Sequence, residues 1–265
     1  MSEVELNSGI LHYDFIKVTK SDDQFLLVFL HEALGSIPQW RSFPQKLCEC
    51  LKLNGLVYER QGHGLSSALS KPRTAAYLHE YAFEELPQFL DTVVLEKTKL
   101  ILVGHSDGGT IALLYASRFP EKVHAVVTLA AHVVNEPETV RGIGPAVVAF
   151  ESGKLEKLKV YHGEKTDNLF YAWANTWRSS QFKNWNILKE LKSIKAPVLA
   201  VQGQDDQYGT LEQLKLIQNA IRSNCETLII SSCGHHPHSE QFEIVSEAII
   251  RFLDGMNNSS RNGLN

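Results

Sequence analysis

Cysteine is scarce in this chain: four residues, Cys48, Cys50, Cys225 and Cys233, with no CxxC pair among them. A disulfide-stapled scaffold and a structural zinc site are not expected from that pattern, and the thiols read as reduced. Positive charge is not in excess either. Lys and Arg total 26 against 30 Asp and Glu, for a net charge of −4 and no basic cluster that would track a phosphate backbone. A nucleic-acid partner is therefore not expected. Long apolar runs are missing too. Phe25 to Leu30 and Ala125 to Ala131 fall far short of the roughly 18 to 20 residues of a membrane span, so no membrane partner is expected. The opening Met1-Ser2-Glu3-Val4-Glu5 is acidic where a secretory leader is basic, and no apolar segment of leader type follows it. A cytoplasmic location is the expectation. Nor does any segment of roughly 20 to 50 residues repeat, which excludes solenoids and propellers.

What is present is a globular composition. The 265 residues are 43% hydrophobic and 21% charged, enough for one large domain or a core carrying an insertion. Short apolar runs alternate with longer amphipathic segments, the pattern of strands alternating with helices around a largely parallel sheet. The start differs: Ile10 to Val18 alternates, Ser21-Asp22-Asp23 reads as a turn, and Phe25 to Leu30 follows, which predicts an antiparallel hairpin. Further strands are predicted at Gly55 to Tyr58, Leu100 to Val103, Val123 to Ala130, Pro197 to Gln202 and Thr227 to Ile230. Helices are predicted at Pro38 to Leu51, at Thr74 to Glu96 with a break near Pro87, and at Asp107 to Arg118.

One interval is too long for a simple crossover. About 65 residues separate Ala130 from Pro197, where a βαβ connection closes in a dozen or somewhat more. Eight aromatics fall between Phe150 and Trp185, among them Trp173 and Trp177, on what read as short helices. Such rings hold an insert together, and some of them can roof a pocket. The expected organisation is a core of residues 1–130 and 196–254, a helical insertion at 131–195, and a disordered tail of Asn, Ser and Gly at 255–265.

The chemistry centres on Gly104-His105-Ser106-Asp107-Gly108, a strand leading through Gly-x-Ser-x-Gly directly into a helix. That context places a serine in a strained, exposed turn, with glycines where side chains would collide. A serine hydroxyl needs a base to take its proton and a carboxylate to orient that base. Both types follow at strand ends: Asp205 and Asp206 after Gly203, then His235 in Gly234-His235-His236-Pro237-His238. The residues alone do not choose between the two aspartates. The histidine run does not read as a metal site, because ligands on adjacent residues of one turn rarely converge and no carboxylate cluster accompanies them. No metal or other cofactor is expected.

With these motifs on the page the chain resembles the α/β-hydrolase fold superfamily, in a cap-bearing branch of serine hydrolases, over nearly its whole length. Two more stretches carry the resemblance: Phe29-Leu30-His31-Glu32-Ala33-Leu34-Gly35-Ser36 with Trp40, and Tyr58-Glu59-Arg60-Gln61-Gly62-His63-Gly64-Leu65-Ser66. It implies a mostly parallel central sheet flanked by helices, with the helical cap between the sixth and seventh strands. It implies Ser106 as nucleophile, His235 as base, Asp206 rather than Asp205 as the acid, and an oxyanion hole from the backbone N–H groups of Ala33 and Asp107.

Two residues depart from the family pattern: Glu32, where His-Gly is common, and Asp107 after the serine. Pointing inward, either would oppose an oxyanion or bind a cationic or hydroxylated substrate; the expectation is that each points away, to backbone or to an arginine such as Arg60. His31 and His63 read as structural. His132 and His162 are candidates to face the pocket. The expected substrate is a small carboxylic ester or related acyl compound with apolar parts. Two other readings stand beside it: hydrolysis of a carbon–carbon bond in a ring-cleavage product, for which Arg141, Lys165 or Arg178 would have to meet a substrate carboxylate, and a slow-turnover small-molecule receptor of the same fold.

Overall fold

An apolar run without alternation suits a strand covered on both faces, because alternation is needed only where one face meets water. The computed structural model, which describes residues 1–19, 21–22 and 24–262, places Phe25–Leu30 in that setting. Its strands are β1 (Ser2–Leu6), β2 (Gly9–Ile16), β3 (Phe25–Leu30), β4 (Asn54–Tyr58), β5 (Lys99–His105), β6 (Val123–Leu129), β7 (Val198–Gly203) and β8 (Cys225–Ile230). They form an eight-stranded sheet in the order β1-β2-β4-β3-β5-β6-β7-β8. Pairing is antiparallel from β1 to β2 and from β2 to β4, and parallel from β4 through to β8.

The opening hairpin is therefore not the one expected. β3 does not pair with β2; it lies between β4 and β5, and the hairpin is formed by β1 and β2, with Leu6 opposite Gly9. The reason is burial. Leu27, Val28, Phe29 and Leu30 are wholly inaccessible, so β3 needs a neighbour on each edge and a layer on each face. β1 alternates exposed Glu3 and Glu5 with half-buried Val4 and Leu6, and reads in the sequence as a polar terminus.

The helices are α1 (Phe43–Leu51), α2 (Tyr77–Glu80), α3 (Leu86–Val93), α4 (Asp107–Arg118), α5 (Pro137–Glu151), α6 (Leu158–His162), α7 (Thr166–Arg178), α8 (Leu188–Leu191), α9 (Glu212–Ile221), α10 (Pro237–Glu240) and α11 (Phe242–Asn262). Alternate residues of β5 serve two cores. Ile101 and Val103 pack with Phe43 and Leu47 of α1 and Val245, Ile249 and Phe252 of α11. Leu100 and Leu102 face the other way, with Phe89 of α3, Ile111 and Leu114 of α4, and Leu214 and Ile217 of α9. Pro87 does not break its helix. A π-type turn at Tyr81–Glu85 joins α2 to α3, the Leu86 N–H donating to the Tyr81 carbonyl, and the wider turn absorbs the N–H that proline lacks.

Helices α5 to α8 fill the connection from β6 to β7. Phe150 of α5 stacks on Phe170 of α7, with ring centroids 3.9 Å apart, and Trp177, Phe182 and Trp185 form a second aromatic group. The Glu136 carboxylate before α5 accepts from the Thr210 N–H, the Thr210 hydroxyl and the Gln213 amide, fastening this segment to the loop after β7. At the far end α11 continues past Gly255 to Asn262, because propagating a helix already anchored by Phe252 and Leu253 costs little; residues 263–265 lie outside the described residues. No helix among the described residues is long and apolar enough to cross a membrane.

Candidate active site

The turn from β5 into α4 holds Ser106 at φ 52° and ψ −119°, a left-handed geometry that β-carbon sterics disfavour. Two glycines permit it. A β-carbon on Gly104 would lie 2.2 Å from the Gly108 carbonyl oxygen, and one on Gly108 would lie 1.9 Å from that of Leu30. The serine hydroxyl meets the loop after β8, where His235 Nε2 is 3.0 Å from Ser106 Oγ. The other ring nitrogen, Nδ1, is 2.9 Å from both oxygens of Asp206. A carboxylate only accepts, so Nδ1 carries a proton, and Nε2 is placed to accept from the serine hydroxyl.

Asp206 is itself held. Its Oδ2 accepts from Gln202 Nε2 at 2.6 Å and its Oδ1 from the Tyr208 N–H at 2.8 Å. Burial pushes its carboxyl up, but the charge and hydrogen bond of His235 outweigh burial, and the net shift is downward. Asp205 is exposed and contributes only its N–H, to the Cys233 carbonyl.

Among the described residues the N–H groups of Ala33 and Asp107 donate to no protein acceptor. The carbonyls of the loop bearing Ala33 are held by buried side chains. Arg60 Nη1 and Nη2 donate to the carbonyls of His31 and Glu32 at 2.5 and 2.7 Å, His63 Nε2 to that of Ala33 at 3.0 Å, and His162 Nε2 to that of Leu34 at 2.9 Å. Arg60 thus serves the backbone, not the Glu32 or Asp107 carboxylate. His31 and His63 have the structural place expected of them, His31 Nδ1 donating to the Glu32 carbonyl.

A cavity of about 210 Å³ opens on Ser106, His235 and Ala33. Its remaining wall is mostly apolar: Leu34, Tyr208 and, from the connection between β6 and β7, Leu155, Leu158, Phe170, Trp173 and Trp177. His132 also lines it, with Nε2 on the Tyr208 carbonyl at 3.0 Å and a buried Nδ1 that has no partner among the described residues. His162 is not brought to the cavity. Both its nitrogens are engaged, Nε2 with Leu34 and Nδ1 accepting the Gly64 N–H at 2.9 Å, so it ties α6 to the loop after β4. Arg141, Lys165 and Arg178 do not line the cavity either; Arg141 pairs with Glu138, and Lys165 donates to the Gly64 and Ser66 carbonyls.

Glu32 and Asp107 are both among the residues around the cavity, and their carboxylates are engaged by side chains other than Arg60. Neither is bare. Asp107 Oδ2 accepts from the Tyr77 hydroxyl at 2.7 Å, and that hydroxyl accepts from Trp177 Nε1 at 2.7 Å. Glu32 Oε2 lies 3.0 Å from His236 Nε2 and 3.3 Å from His105 Nδ1. Burial raises the Glu32 carboxyl, but the His236 hydrogen bond and the neighbouring imidazoles outweigh it and hold the group ionised, well below its ordinary range. His236 responds in kind: burial lowers it, Glu32 raises it more, and the net shift is upward. Tyr77, His105 and His236 had no signal in the sequence as part of this site, since each acts through a partner distant in the chain.

Comparison with known proteins identifies the fold. The profile of a family described as the alpha/beta hydrolase fold matches residues 26–189. The 2-hydroxy-6-oxo-6-phenylhexa-2,4-dienoate hydrolase of Burkholderia cepacia is 28% identical over 191 residues, 62% of this chain; the chain spans 65% of that protein's length. Among solved structures, a membrane phospholipase A described as a bacterial virulence factor superposes with a TM-score of 0.78 at 23% identity, covering 97% of this chain and 86% of that one. A thermophilic esterase from Thermogutta terrifontis gives 0.72 at 19% identity, covering 96% and 98%.

Proposed function

The chain belongs to the alpha/beta hydrolase fold family, and on that premise we propose that it is a serine hydrolase of small carboxylic esters or related acyl compounds. One observation carries the reading: an unbroken hydrogen-bonded line, Ser106 to His235 to Asp206, ending at an apolar cavity. His235 Nε2 takes the Ser106 proton as Oγ attacks the carbonyl carbon. The oxyanion of the tetrahedral intermediate accepts from the N–H groups of Ala33 and Asp107, which donate to no protein acceptor among the described residues. The intermediate collapses to an acyl-enzyme, His235 giving its proton to the leaving alkoxide. A water that gives its proton to His235 then attacks the acyl carbon and frees Ser106. Asp206 keeps Nδ1 protonated and stabilises the imidazolium in both halves. Helices α5 to α8 act as the cap, and Trp173 and Trp177 pack on the apolar part of the acyl group. No metal or other cofactor takes part, and the enzyme works in the cytoplasm.

A carbon–carbon hydrolase is the second reading, prompted by the Burkholderia relative. A dienoate substrate brings a carboxylate, and among the described residues no Lys or Arg lines the cavity, which favours an uncharged ester. The test is release of p-nitrophenol from esters of rising chain length, with 2-hydroxy-6-oxo-6-phenylhexa-2,4-dienoate in parallel, using the native chain and Ser106→Ala. Sustained ester turnover that falls by about 10⁴-fold or more in the variant is expected. A burst of a single equivalent would point to a receptor of the same fold, and turnover of the dienoate alone would replace the ester reading.

A further inference from the structure

Beside the proposed triad, and sharing none of its side chains, three metal-ligating groups converge from three separate segments of the chain. Glu32 follows β3, His105 ends β5 and His236 lies in the turn after β8; one ligand atom from each falls within 4.8 Å of the other two. We propose that these residues bind one divalent transition-metal ion of the Zn²⁺ class.

Geometry supports the assignment. Metal–nitrogen and metal–oxygen bonds of about 2.0 to 2.2 Å around a tetrahedral ion put neighbouring ligand atoms about 3.3 Å apart. Glu32 Oε2 is 3.3 Å from His105 Nδ1 and 3.0 Å from His236 Nε2, so two of the three edges already have that length. The third closes by rotation of His236, whose side chain is 42% exposed. His105 is oriented for coordination: its Nε2 lies 2.7 Å from the His235 carbonyl, which only accepts, so the proton is on Nε2 and Nδ1 faces the carboxylate. Imidazole donating its far N–H to a carbonyl is the usual support of a metal-bound histidine. Between the three groups lies a cavity of about 20 Å³, also lined by Gln39, Trp40 and His238, and about the size that holds one water. Water reaching the ion through the His236 side fills the fourth position. Two imidazoles and a carboxylate favour zinc-class ions over Mg²⁺ or Ca²⁺, which prefer all-oxygen shells.

The ion has no step in the proposed acyl transfer. It replaces the contact between His236 and Glu32 and joins the loop bearing Ala33 to the residues flanking Ser106 and His235.

The experiment is calorimetric titration of the chelator-treated chain with Zn²⁺, and with Mg²⁺ as the contrast. One equivalent of Zn²⁺ with micromolar or tighter affinity and no Mg²⁺ binding is expected. His236→Ala and Glu32→Gln should each weaken Zn²⁺ at least tenfold, with Cys50→Ser, at an exposed thiol, leaving it unchanged. His236→Ala alters a half-exposed side chain, so the test stands even if Glu32→Gln does not fold. Absence of Zn²⁺ binding, or binding equal in native chain and His236→Ala, overturns the site. Co²⁺ titrated in place of Zn²⁺ gives a second readout: visible bands of a four-coordinate ion support the site, and a spectrum identical to aqueous Co²⁺ overturns it.

Discussion

Asp205 and Asp206 are adjacent, identical in chemistry, and opposite in circumstance. Asp206 accepts from His235, Gln202 and the Tyr208 N–H, whereas Asp205 is exposed. Asp206→Asn keeps the volume and removes the charge that holds His235 in its tautomer, so kcat should fall on the order of 10³ to 10⁴-fold. Asp205→Asn should change it less than twofold, and steady-state ester kinetics on both variants checks the pair. Tyr77→Phe removes the hydroxyl between Trp177 Nε1 and the Asp107 carboxylate, leaving a buried donor and a buried charge each short of a partner. A loss of about 1 to 3 kcal/mol is expected in urea unfolding. The contrast explains what was legible at this scale. Ser106 and His235 announce themselves because a turn with neighbouring glycines, or a strand end, is a local pattern. Tyr77, Asp107 and Trp177 meet only because three distant segments fold together, and no local pattern encodes that.

At the scale of elements, the strand–turn–helix around Ser106 was read in full, α4 running from Asp107 to Arg118 as expected. Its tolerance is small. In Gly108→Ala the new methyl would sit 1.9 Å from the Leu30 carbonyl oxygen, and both partners are backbone, so α4 or β3 must shift. A loss of more than about 3 kcal/mol is expected, read as a large drop in thermal midpoint or failure to fold, whereas the neighbouring Ser106→Ala keeps the native midpoint to within a few degrees. The opening hairpin was misread for a physical reason: adjacency in sequence favours a hairpin, but an all-apolar strand such as β3 gains more from the middle of the sheet. Pro87 was likewise read as a break, since a sequence rule counts the missing N–H and does not anticipate a π-type turn that makes room for it.

At the scale of the whole molecule, stability carries a pH signature from a group far from Ser106 in sequence. Burial pushes the Glu85 carboxyl from 4.5 up to about 7, only partly offset by the Gln61 N–H and the charges of Arg60 and Arg73. The folded state keeps this proton where the unfolded chain has lost it, so stability is greatest below about pH 4.5 as far as this group is concerned. It declines as pH rises towards about 7, by roughly 3 kcal/mol in total. Glu85→Gln can keep the bond to the Gln61 N–H and should flatten that decline, which urea midpoints from pH 5 to 8 would show; an unchanged slope would assign it to other groups. The insertion has a different consequence. β6 and β7 are parallel neighbours, Leu129 opposite Val201, so the chain leaves at the end of the sheet that carries Ser106 and crosses back to the other end, where Val198 begins β7 opposite Val126. Closing such a loop costs only about 0.6 kcal/mol more for each doubling of its length. Within segment 130–197 the part that roofs the cavity is therefore the exchangeable one: evolution, or a protein engineer, can vary Leu155 to Leu158 and its neighbours while Val133, Leu191 and Ile194 stay packed on the sheet, so that new substrates can be sampled without reinventing the reaction.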